Sequence, residues 1–320
     1  MESKKILVTG GAGFIGSNMI QRLLDLGNSV VAYDNLSSGN KAFIKNAFRY
    51  QNFRFVEGDI LNKQLLEELF SDVKFDLVIH LAANADIVKG MKSPWLDINI
   101  GIIGTLNILD VMEKHGVKNI IFSSTSAVYG NASELPTSED YTDRGKALPV
   151  SSYAASKLAA ENLIRSYSER AGLGYLIYRF ANVVGNNYSH GILIQMVDKL
   201  SKSKESLEVI GRGMQKRAYM LVDDLIDAIL HTYDKGLRDE VFNVSTDELL
   251  SVDQIVRRIT DKVSENCVIR YTMDTSPLLG DVVETYISNQ KLKNTGFSYK
   301  HESHQAVDIT IDHLVERFKL

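Results

Sequence analysis

The sequence predicts an α/β protein with a doubly wound parallel (Rossmann) sheet and a smaller, mixed α/β C-terminal lobe. Three observations lead to this prediction. Short, almost continuous apolar runs alternate with helical patterns as far as about residue 185, and such runs suit strands that are buried on both faces of a parallel sheet. A glycine-rich turn follows the first run, as in dinucleotide-binding β-α-β units. After about residue 186 the alternation becomes less regular, which indicates the second lobe.

The elements follow one another as a repeated β-α-β fold requires. The first strand is KILVTG, and the helix after it carries apolar residues at helical spacing and ends at Gly27. Further strands are predicted in SVVAYD, FRFVEGD, DLVIHLAA, NIIFSS and LGYLIYRF, with helices at about 61–71, 95–115 and 153–171. We expect one domain over residues 1–185 and a second lobe mainly over 186–320, from which segments of about 216–260 return to the sheet.

Composition excludes several classes of protein. The chain has 320 residues, of which 44% are hydrophobic and 24% charged, as is ordinary for a globular protein. A net charge of −4 without a long basic block argues against nucleic-acid binding. We also expect no membrane association, because no apolar run approaches the length of a membrane span and MESKKILVTGG leads directly into a strand. A lone cysteine fits a cytoplasmic location, and no histidine cluster has metal-site spacing.

The turn TGGAGFIGS places Gly10, Gly11, Gly13 and Gly16 between the first strand and its helix. Glycines allow a tight turn and let the backbone approach a diphosphate, to which the helix N-terminus offers N–H donors. Asp34 follows Gly16 by 18 residues, at the end of the second strand. A carboxylate there accepts hydrogen bonds from a ribose diol and repels a 2'-phosphate, so NAD is favoured over NADP as the cofactor.

Three residues near Asp34 and at the end of the third strand are expected beside the same cofactor. Asp59, in EGDI, contacts the adenine amino group or caps the following helix, and the sequence leaves both alternatives open. Asn35 follows Asp34, and Ile60 follows Asp59.

A base for proton transfer is predicted at Tyr153, because Lys157 lies four residues later on the same face of a helix. Bringing a phenol from a pKa near 10 to about 7 requires roughly 4 kcal/mol of preference for the phenolate. One cation about 5 Å away supplies on the order of 3 kcal/mol. Lys157 and the positive nicotinamide of NAD⁺ together are therefore sufficient in magnitude, so Tyr153 is the predicted acid/base.

The chain resembles the extended short-chain dehydrogenases/reductases, and most of all the NAD-dependent nucleotide-sugar epimerases of the UDP-glucose 4-epimerase type. The motifs that carry the resemblance are TGGAGFIGS, YDNLSSG, GDI, HLAA, SSTSAVYG, YAASK, RFANVVG and VDD, in the family's order and spacing. They cover residues 1 to about 230. The resemblance implies an NAD-binding domain over 1–185 and a lobe for the nucleotide-sugar substrate over 186–320.

The resemblance also implies roles for single residues. Thr125 would bond the sugar O4 beside Tyr153, and Lys157 would bind the nicotinamide ribose. Ser124 would lie near the nicotinamide carboxamide, and Asn182 would contact the sugar diphosphate. Residues implied to line the cofactor are Phe14, Ile15, Leu81, Ala82 and Ala83.

Ala127 indicates which reaction of this family the chain performs. Related 4,6-dehydratases carry an Asp-Glu pair at the places of Ser126 and Ala127, and related decarboxylases carry TSEVYG. A methyl group cannot transfer a proton, which favours C4 epimerisation of a UDP-hexose, glucose/galactose or an N-acetyl analogue. The alternatives are a related oxidoreductase, or an epimerase acting at another carbon or on a GDP- or CDP-sugar. A non-catalytic nucleotide-binding protein is a further alternative of another class.

Two departures from the family pattern affect the substrate pocket. The family's arginine before the late Gly-Asp is missing, because the segment before Gly280 reads TMDTSPLL. Lys216 and Arg217 are the remaining basic residues predicted to bind the diphosphate. The stretch from Asn84 also differs from the common form. The family further implies a homodimer, paired through the helices at 95–115 and 153–171.

Overall fold

A seven-stranded parallel sheet forms the centre of the fold, as the sequence predicts. The computed structural model describes residues 3–84, 86–264, 266–272 and 285–320. Its strands are β1 (Lys5–Thr9), β2 (Ser29–Asp34), β3 (Phe53–Glu57), β4 (Leu77–His80), β5 (Asn119–Thr125), β6 (Gly174–Phe180), β7 (Asn182–Val184), β8 (Ser206–Val209), β9 (Lys216–Arg217), β10 (Tyr219–Leu221), β11 (Glu240–Val244), β12 (Leu250–Ser251) and β13 (Val268–Tyr271). The spatial order of the large sheet is β11-β6-β5-β4-β1-β2-β3.

Helices cover both faces of the sheet. They are α1 (Phe14–Asp25), α2 (Lys63–Asp72), α3 (Ile87–Lys92), α4 (Pro94–Asp97), α5 (Thr105–Lys114), α6 (Ser152–Ala171), α7 (Ile192–Lys202), α8 (Val222–Asp234), α9 (Val252–Val263), α10 (Gln290–Asn294) and α11 (Ser303–Phe318). Successive side chains of a strand point to opposite faces. Ile6 and Val8 of β1 accordingly join one apolar core with α1 and α8, whereas Leu7 joins the other with α2, α5 and α6.

The helix predicted over 95–115 is interrupted. A π-helical segment, Ile98–Gly104, separates α4 from α5. Two glycines of this segment let it pack closely: a Cβ on Gly101 would lie 2.5 Å from the Ser156 hydroxyl, and one on Gly104 would lie 2.3 Å from Ile60. The segment therefore brings its backbone against α6 at the residue before Lys157.

The same run corrects the expectation that no apolar run approaches the length of a membrane span. Residues Pro94–Lys114 are long and apolar enough to span a membrane by length and composition alone. In this fold 44% of the tested window is buried, and α5 packs against α2 and α6. A core helix of an α/β domain satisfies the same test.

The C-terminal part of the chain contributes to both the large sheet and a smaller lobe. β11 pairs with β6 at the sheet edge, in the register Glu240↔Leu176 to Val244↔Phe180. Three two-stranded sheets, β7 with β10, β9 with β12 and β8 with β13, lie beside it. The division into domains at residue 185 stays a prediction.

Candidate active site

A cavity of about 910 Å³ opens at the carboxyl ends of the central strands. The strand order reverses there, because β1 has β2 on one side and β4 on the other. In open α/β sheets, ligands bind in the crevice at this point. Of the residues predicted to form the site, these line the cavity: Gly10, Gly13, Phe14, Ile15, Gly16, Asp34, Asn35, Asp59, Ile60, Leu81, Ala82, Ala83, Ser124, Thr125, Tyr153, Lys157, Asn182 and Arg217.

The glycine turn forms one end of the cavity. Gly10 has a φ of +67°, and a Cβ on it would lie 2.8 Å from the backbone nitrogen of Ala82. A Cβ on Gly16 would lie 2.1 Å from the carbonyl oxygen of Gly10. Helix α1 begins after Gly13 without a side-chain cap. The turn therefore presents backbone N–H groups and the positive end of a helix to the cavity, which fits the diphosphate of a dinucleotide.

Asp34, at the end of β2, ties the glycine turn to the neighbouring strand. Its carboxylate accepts hydrogen bonds from the backbone N–H groups of Ala12 (2.9 Å) and Leu36 (2.7 Å). Burial raises the pKa of Asp34, and these two N–H groups lower it in part. A carboxylate offers about four lone-pair positions, so Asp34 keeps acceptor capacity for the hydroxyls of a ribose.

Asp59 caps no helix. The N-cap of α2 is Asn62, which accepts from the N–H of Leu65. Asp59 instead accepts from the N–H of Leu61 at 2.8 Å and from the side-chain amide of Asn35 at 2.9 Å. Of the two alternatives that the sequence leaves open, the structure excludes capping and holds Asp59 at the cavity beside Asn35.

The wall after β4 is supported by three buried polar residues, Thr9, His80 and Thr105. Thr9 Oγ1 lies 2.6 Å from His80 Nδ1, and His80 Nε2 lies 3.1 Å from Thr105 Oγ1. The N–H of Ala82 donates to Thr9 Oγ1 at 3.3 Å. Burial, together with the charge of Lys157, lowers the pKa of His80 to about 3. His80 is thus a neutral structural residue that positions Leu81, Ala82 and Ala83. Among the described residues, no group of three or more histidine, cysteine or carboxylate side chains could hold a metal ion.

The predicted acid/base lies at the other end of the cavity. Tyr153 is in the first turn of α6, and Thr125, the last residue of β5, is its hydrogen-bond neighbour. Burial raises the pKa of Tyr153 to about 12, the hydrogen bond from Thr125 lowers it, and the charge of Asp97 raises it. The protonated phenol is therefore the resting form in this environment.

Lys157 is buried one turn after Tyr153. Its Nζ donates to the carbonyl oxygen of Ser123 at 2.6 Å and lies 4.6 Å from the centre of the Phe122 ring. Burial lowers the pKa of Lys157 to about 7, while the charge of Glu161 raises it. Lys157 is therefore not a fixed cation at neutral pH, contrary to the assumption made from its spacing.

Ser124 belongs to a buried network that the sequence did not predict. Its hydroxyl donates to Glu161, so it can serve a cofactor carboxamide only as an acceptor. Glu161 is paired with Arg179 through Nη2–Oε2 (2.6 Å) and Nε–Oε1 (3.1 Å), and both side chains are at most 1% exposed. Arg179 also donates to the Tyr129 hydroxyl at 3.0 Å, and Tyr129 donates to Asn243 Oδ1 at 2.6 Å.

The network therefore connects β5, α6, β6 and β11 directly beneath Thr125 and Lys157. A signal for it was available in the sequence, because Arg179 lies within the apolar run LGYLIYRF and a buried charge needs a partner. Its partners are far apart along the chain, which the sequence pattern does not show.

The part of the chain after residue 186 supplies cationic side chains to the lining of the cavity. Arg217 lines the cavity, but Lys216 does not; it is exposed, and neighbouring residues of a strand point to opposite sides. The structure thus separates the two basic residues that the sequence grouped. It adds Lys199 and Arg212, which sequence reasoning did not select.

Two further predictions about the substrate pocket concern Asn182 and the arginine that is missing before Gly280. Asn182 lines the cavity at the start of β7, where its side-chain amide lies 3.4 Å from the carbonyl oxygen of Ala218. The expectation of a missing arginine clamp before Gly280 falls on 273–284, outside the described residues.

The arrangement suits hydride and proton exchange at a hydroxyl-bearing carbon. The glycine turn and Asp34 can hold a dinucleotide, while Thr125 and Tyr153 face the place where its reactive end would meet a substrate. A phenol with a neighbouring hydroxyl and amine can take up and return one proton. Hydride chemistry belongs to the cofactor, which the protein binds and orients.

Comparison with known proteins also indicates a protein that uses NAD. A family model described as the NAD dependent epimerase/dehydratase family matches residues 6–245. That range contains the glycine turn, Asp34 and both catalytic candidates of α6. NAD is the cofactor named for this family.

Individual relatives have two activities. A UDP-glucose 4-epimerase of Mycolicibacterium smegmatis is 29% identical over 293 residues, covering 90% of this chain and 91% of its own. A dTDP-D-glucose 4,6-dehydratase of Mus musculus is 29% identical over 269 residues, covering 82% and 74%. The crystal structure of a UDP-glucose 4-epimerase from Thermotoga maritima with UDP-glucose superposes with a TM-score of 0.86, at 30% identity, over 98% of this chain and 99% of its own.

Proposed function

The chain belongs to the NAD dependent epimerase/dehydratase family, and from this premise we propose that it interconverts the C4 epimers of a nucleotide-linked hexose. The substrate is UDP-glucose/UDP-galactose or an N-acetyl analogue, and the reaction passes through a transient 4-keto sugar. One observation carries the proposal. Among the described residues that line the cavity, Asp34 and Asp59 are the only carboxylates, and both lie at the β2 and β3 end.

This distribution of carboxylates separates epimerisation from dehydration. Elimination of water needs a second acid or base near the sugar, whereas oxidation and re-reduction at C4 need only one. Beside Thr125 the chain has Ala127, whose N–H donates to Thr125 Oγ1 at 3.2 Å and whose methyl group does not line the cavity. Tyr153 thus has no described carboxylate partner at the sugar.

Each residue of the site has a task in this reaction. Held by the glycine turn and Asp34, NAD would supply a hydride acceptor and donor for C4 and a positive charge beside the phenol. With the positive charge of bound NAD⁺ beside it, Tyr153 first releases its resting proton to water. The phenolate then accepts the proton of the O4 hydroxyl as the carbon–hydrogen bond breaks, and later returns it to the same oxygen. Thr125 hydrogen-bonds that oxygen and Lys157 supports the phenolate, while Arg212 and Arg217 face the substrate diphosphate.

The decisive experiment is incubation of the protein with a panel of UDP-, GDP- and CDP-sugars, followed by NMR of the products. We expect exchange within one C4 epimer pair, without net formation of NADH. Accumulation of NADH and a keto sugar would indicate the related oxidoreductase instead, and exchange at another carbon would indicate a different epimerase. A product that has lost water would assign the chain to the dehydratases.

Replacing Asp34 by Ala tests the cofactor side of the site. We expect NAD to bind about tenfold or more weakly, because hydrogen bonds to a charged group contribute about 1.5–3 kcal/mol. The ratio of NADP to NAD affinity should rise at the same time, since the carboxylate that repels a 2'-phosphate is gone. Titration calorimetry with both cofactors measures this.

A matched control for Asp34 is Asp76→Ala. Asp76 also accepts a backbone N–H, that of Lys5 at 2.7 Å, but it does not line the cavity. Its replacement should leave both affinities unchanged. An unaltered cofactor preference in Asp34→Ala would show that another residue contacts the ribose.

Introducing a carboxyl at Ala127 tests the choice between reactions. Ala127→Glu should yield no dehydrated sugar by mass spectrometry, because the neighbouring Ser126 is not an acid and the turn 126–129 holds position 127 outside the cavity. Ala127→Gln is the uncharged control of equal length. Dehydrated product from the Glu variant alone would contradict the proposal that a single carboxyl is insufficient.

The homodimer stays a prediction. It is supported by large apolar side chains that are exposed on, or shortly before, the elements expected to pair. Trp95 is 70% exposed and Ile103 42% exposed on the run 94–114, and Leu148 is 75% exposed shortly before α6.

A further inference from the structure

A buried carboxylate lies behind the predicted base without lining the cavity. Asp97, the last residue of α4, is 2% exposed. Its Oδ1 accepts from the side-chain amide of Asn84 at 2.8 Å, and its Oδ2 accepts from the hydroxyl of Ser152 at 2.6 Å. The backbone of Gly90 also approaches closely, since a Cβ there would lie 2.3 Å from Asp97 Oδ2. Asp97 is therefore enclosed and held by two donors.

These donors come from two walls of the active site. Ser152 opens α6 and directly precedes Tyr153. Asn84 lines the cavity in the segment that follows β4. The carboxylate of Asp97 thus connects the first turn of α6 with the segment that follows β4. Loss of this carboxylate would shift both.

The charge of Asp97 also acts on the phenol. Around Tyr153, α6 contributes Lys157 and, one turn further, the paired Glu161. Helix α3 contributes Lys89 and Lys92, which are exposed, and Asp86, which pairs with Lys89. The π segment has no charged residue, β5 contributes Thr125, and Tyr129 and Arg179 belong to the network of Glu161. Asp97 is thus the buried charge that opposes ionisation of the phenol, in agreement with its effect on the pKa of Tyr153.

We propose that Asp97 is a positioning residue, which fixes the first turn of α6 through Ser152 and places a buried negative charge behind the Tyr153 phenol. The proposal rests on the proposed function only for the identity of the reaction. Its physical content is a hydrogen-bond link and a charge effect, and both exist without turnover.

The test follows the ionisation of Tyr153 directly. Protein labelled with ring-¹³C tyrosine and loaded with NAD⁺ is titrated by NMR, and the Tyr153 resonance is identified as the one that Tyr153→Phe lacks. In Asp97→Asn the midpoint should move down by about 1 pH unit, because a like charge has been removed. The acidic limb of the kcat/KM profile should move in the same direction.

Two further variants separate charge from structure. Ser152→Ala keeps the Asp97 charge but removes one of its donors, so the midpoint should move up by a few tenths of a pH unit. Asp86→Asn removes a 45%-exposed carboxylate from the same segment, and the midpoint should stay within about 0.2 unit because water screens that charge.

The results that would overturn the inference about Asp97 differ from the result that would refute the proposed function. An Asp97→Asn midpoint equal to that of the parent protein overturns the inference, as does a fall in kcat without any shift in the pH profile. If Asp97→Asn does not fold, an unchanged or lower midpoint in Ser152→Ala overturns it instead. Absence of sugar epimerisation in the parent protein refutes the proposed function and leaves the NMR titration as the test of Asp97.

Discussion

Tyr153→Phe is expected to lower kcat by about a thousandfold, since general acid–base catalysis typically contributes 10²- to 10⁴-fold. The variant loses only the hydroxyl that exchanges a proton with the sugar, while the ring still fills its place in the first turn of α6. Binding of NAD should therefore change less than twofold. Turnover is measured with the C4 epimer pair identified by the sugar panel, and NAD binding by titration calorimetry.

The control for Tyr153 is another buried tyrosine. Tyr178 is fully buried, and its hydroxyl lies 2.6 Å from Thr232 Oγ1, away from the cavity. Tyr178→Phe should cost about 1 kcal/mol of stability and leave kcat unchanged. Near-normal turnover in Tyr153→Phe would remove Tyr153 from the role of the base.

Glu161→Gln should lower the free energy of unfolding by about 3 kcal/mol or more. It leaves the guanidinium of Arg179 buried without its anionic partner, and breaking a buried ion pair on one side costs about 3–5 kcal/mol. Because Ser124 donates to Glu161, the end of β5 should also loosen, with a loss of kcat. Chemical denaturation, followed by circular dichroism, measures the stability.

An exposed pair provides the comparison for Glu161. Glu113 and Arg170 form an ion pair with side-chain exposures of 38% and 57%, and Glu113→Gln should cost less than about 1 kcal/mol. Equal losses in the two variants would show that the Glu161–Arg179 pair contributes no more than a surface contact does.

The sequence predicted the sheet because most of its strands are buried on both sides and therefore leave continuous apolar runs, whereas the edge strand β3 is only partly buried. Six such runs are strands of the observed sheet, and the first helix ends one residue before the Leu26–Gly27 turn. The helix over 95–115 was predicted as one element because apolar spacing continues through it. The interruption depends on close packing at Gly101 and Gly104, which is a tertiary property.

Site residues that belong to a local motif were easier to predict than those held by distant partners. The glycine turn and the spacing of Tyr153 and Lys157 are local features. Asp97 and Arg179 carry no local signature of their function, because their partners are side chains 13 to 55 and 18 to 50 positions away. Lys216 was grouped with Arg217 because the sequence does not show the direction in which each side chain of a two-residue strand points.

The place of Asn243 in the buried network has a consequence for synthesis on the ribosome. The glycine turn, Thr125, Tyr153 and Lys157 all leave the exit tunnel well before β11. Until then Tyr129 lacks the acceptor that Asn243 provides, and the edge of the sheet next to β6 is uncovered. A nascent chain thus has every proton-transfer group early, but the support beneath them is completed only when residues 240–244 emerge.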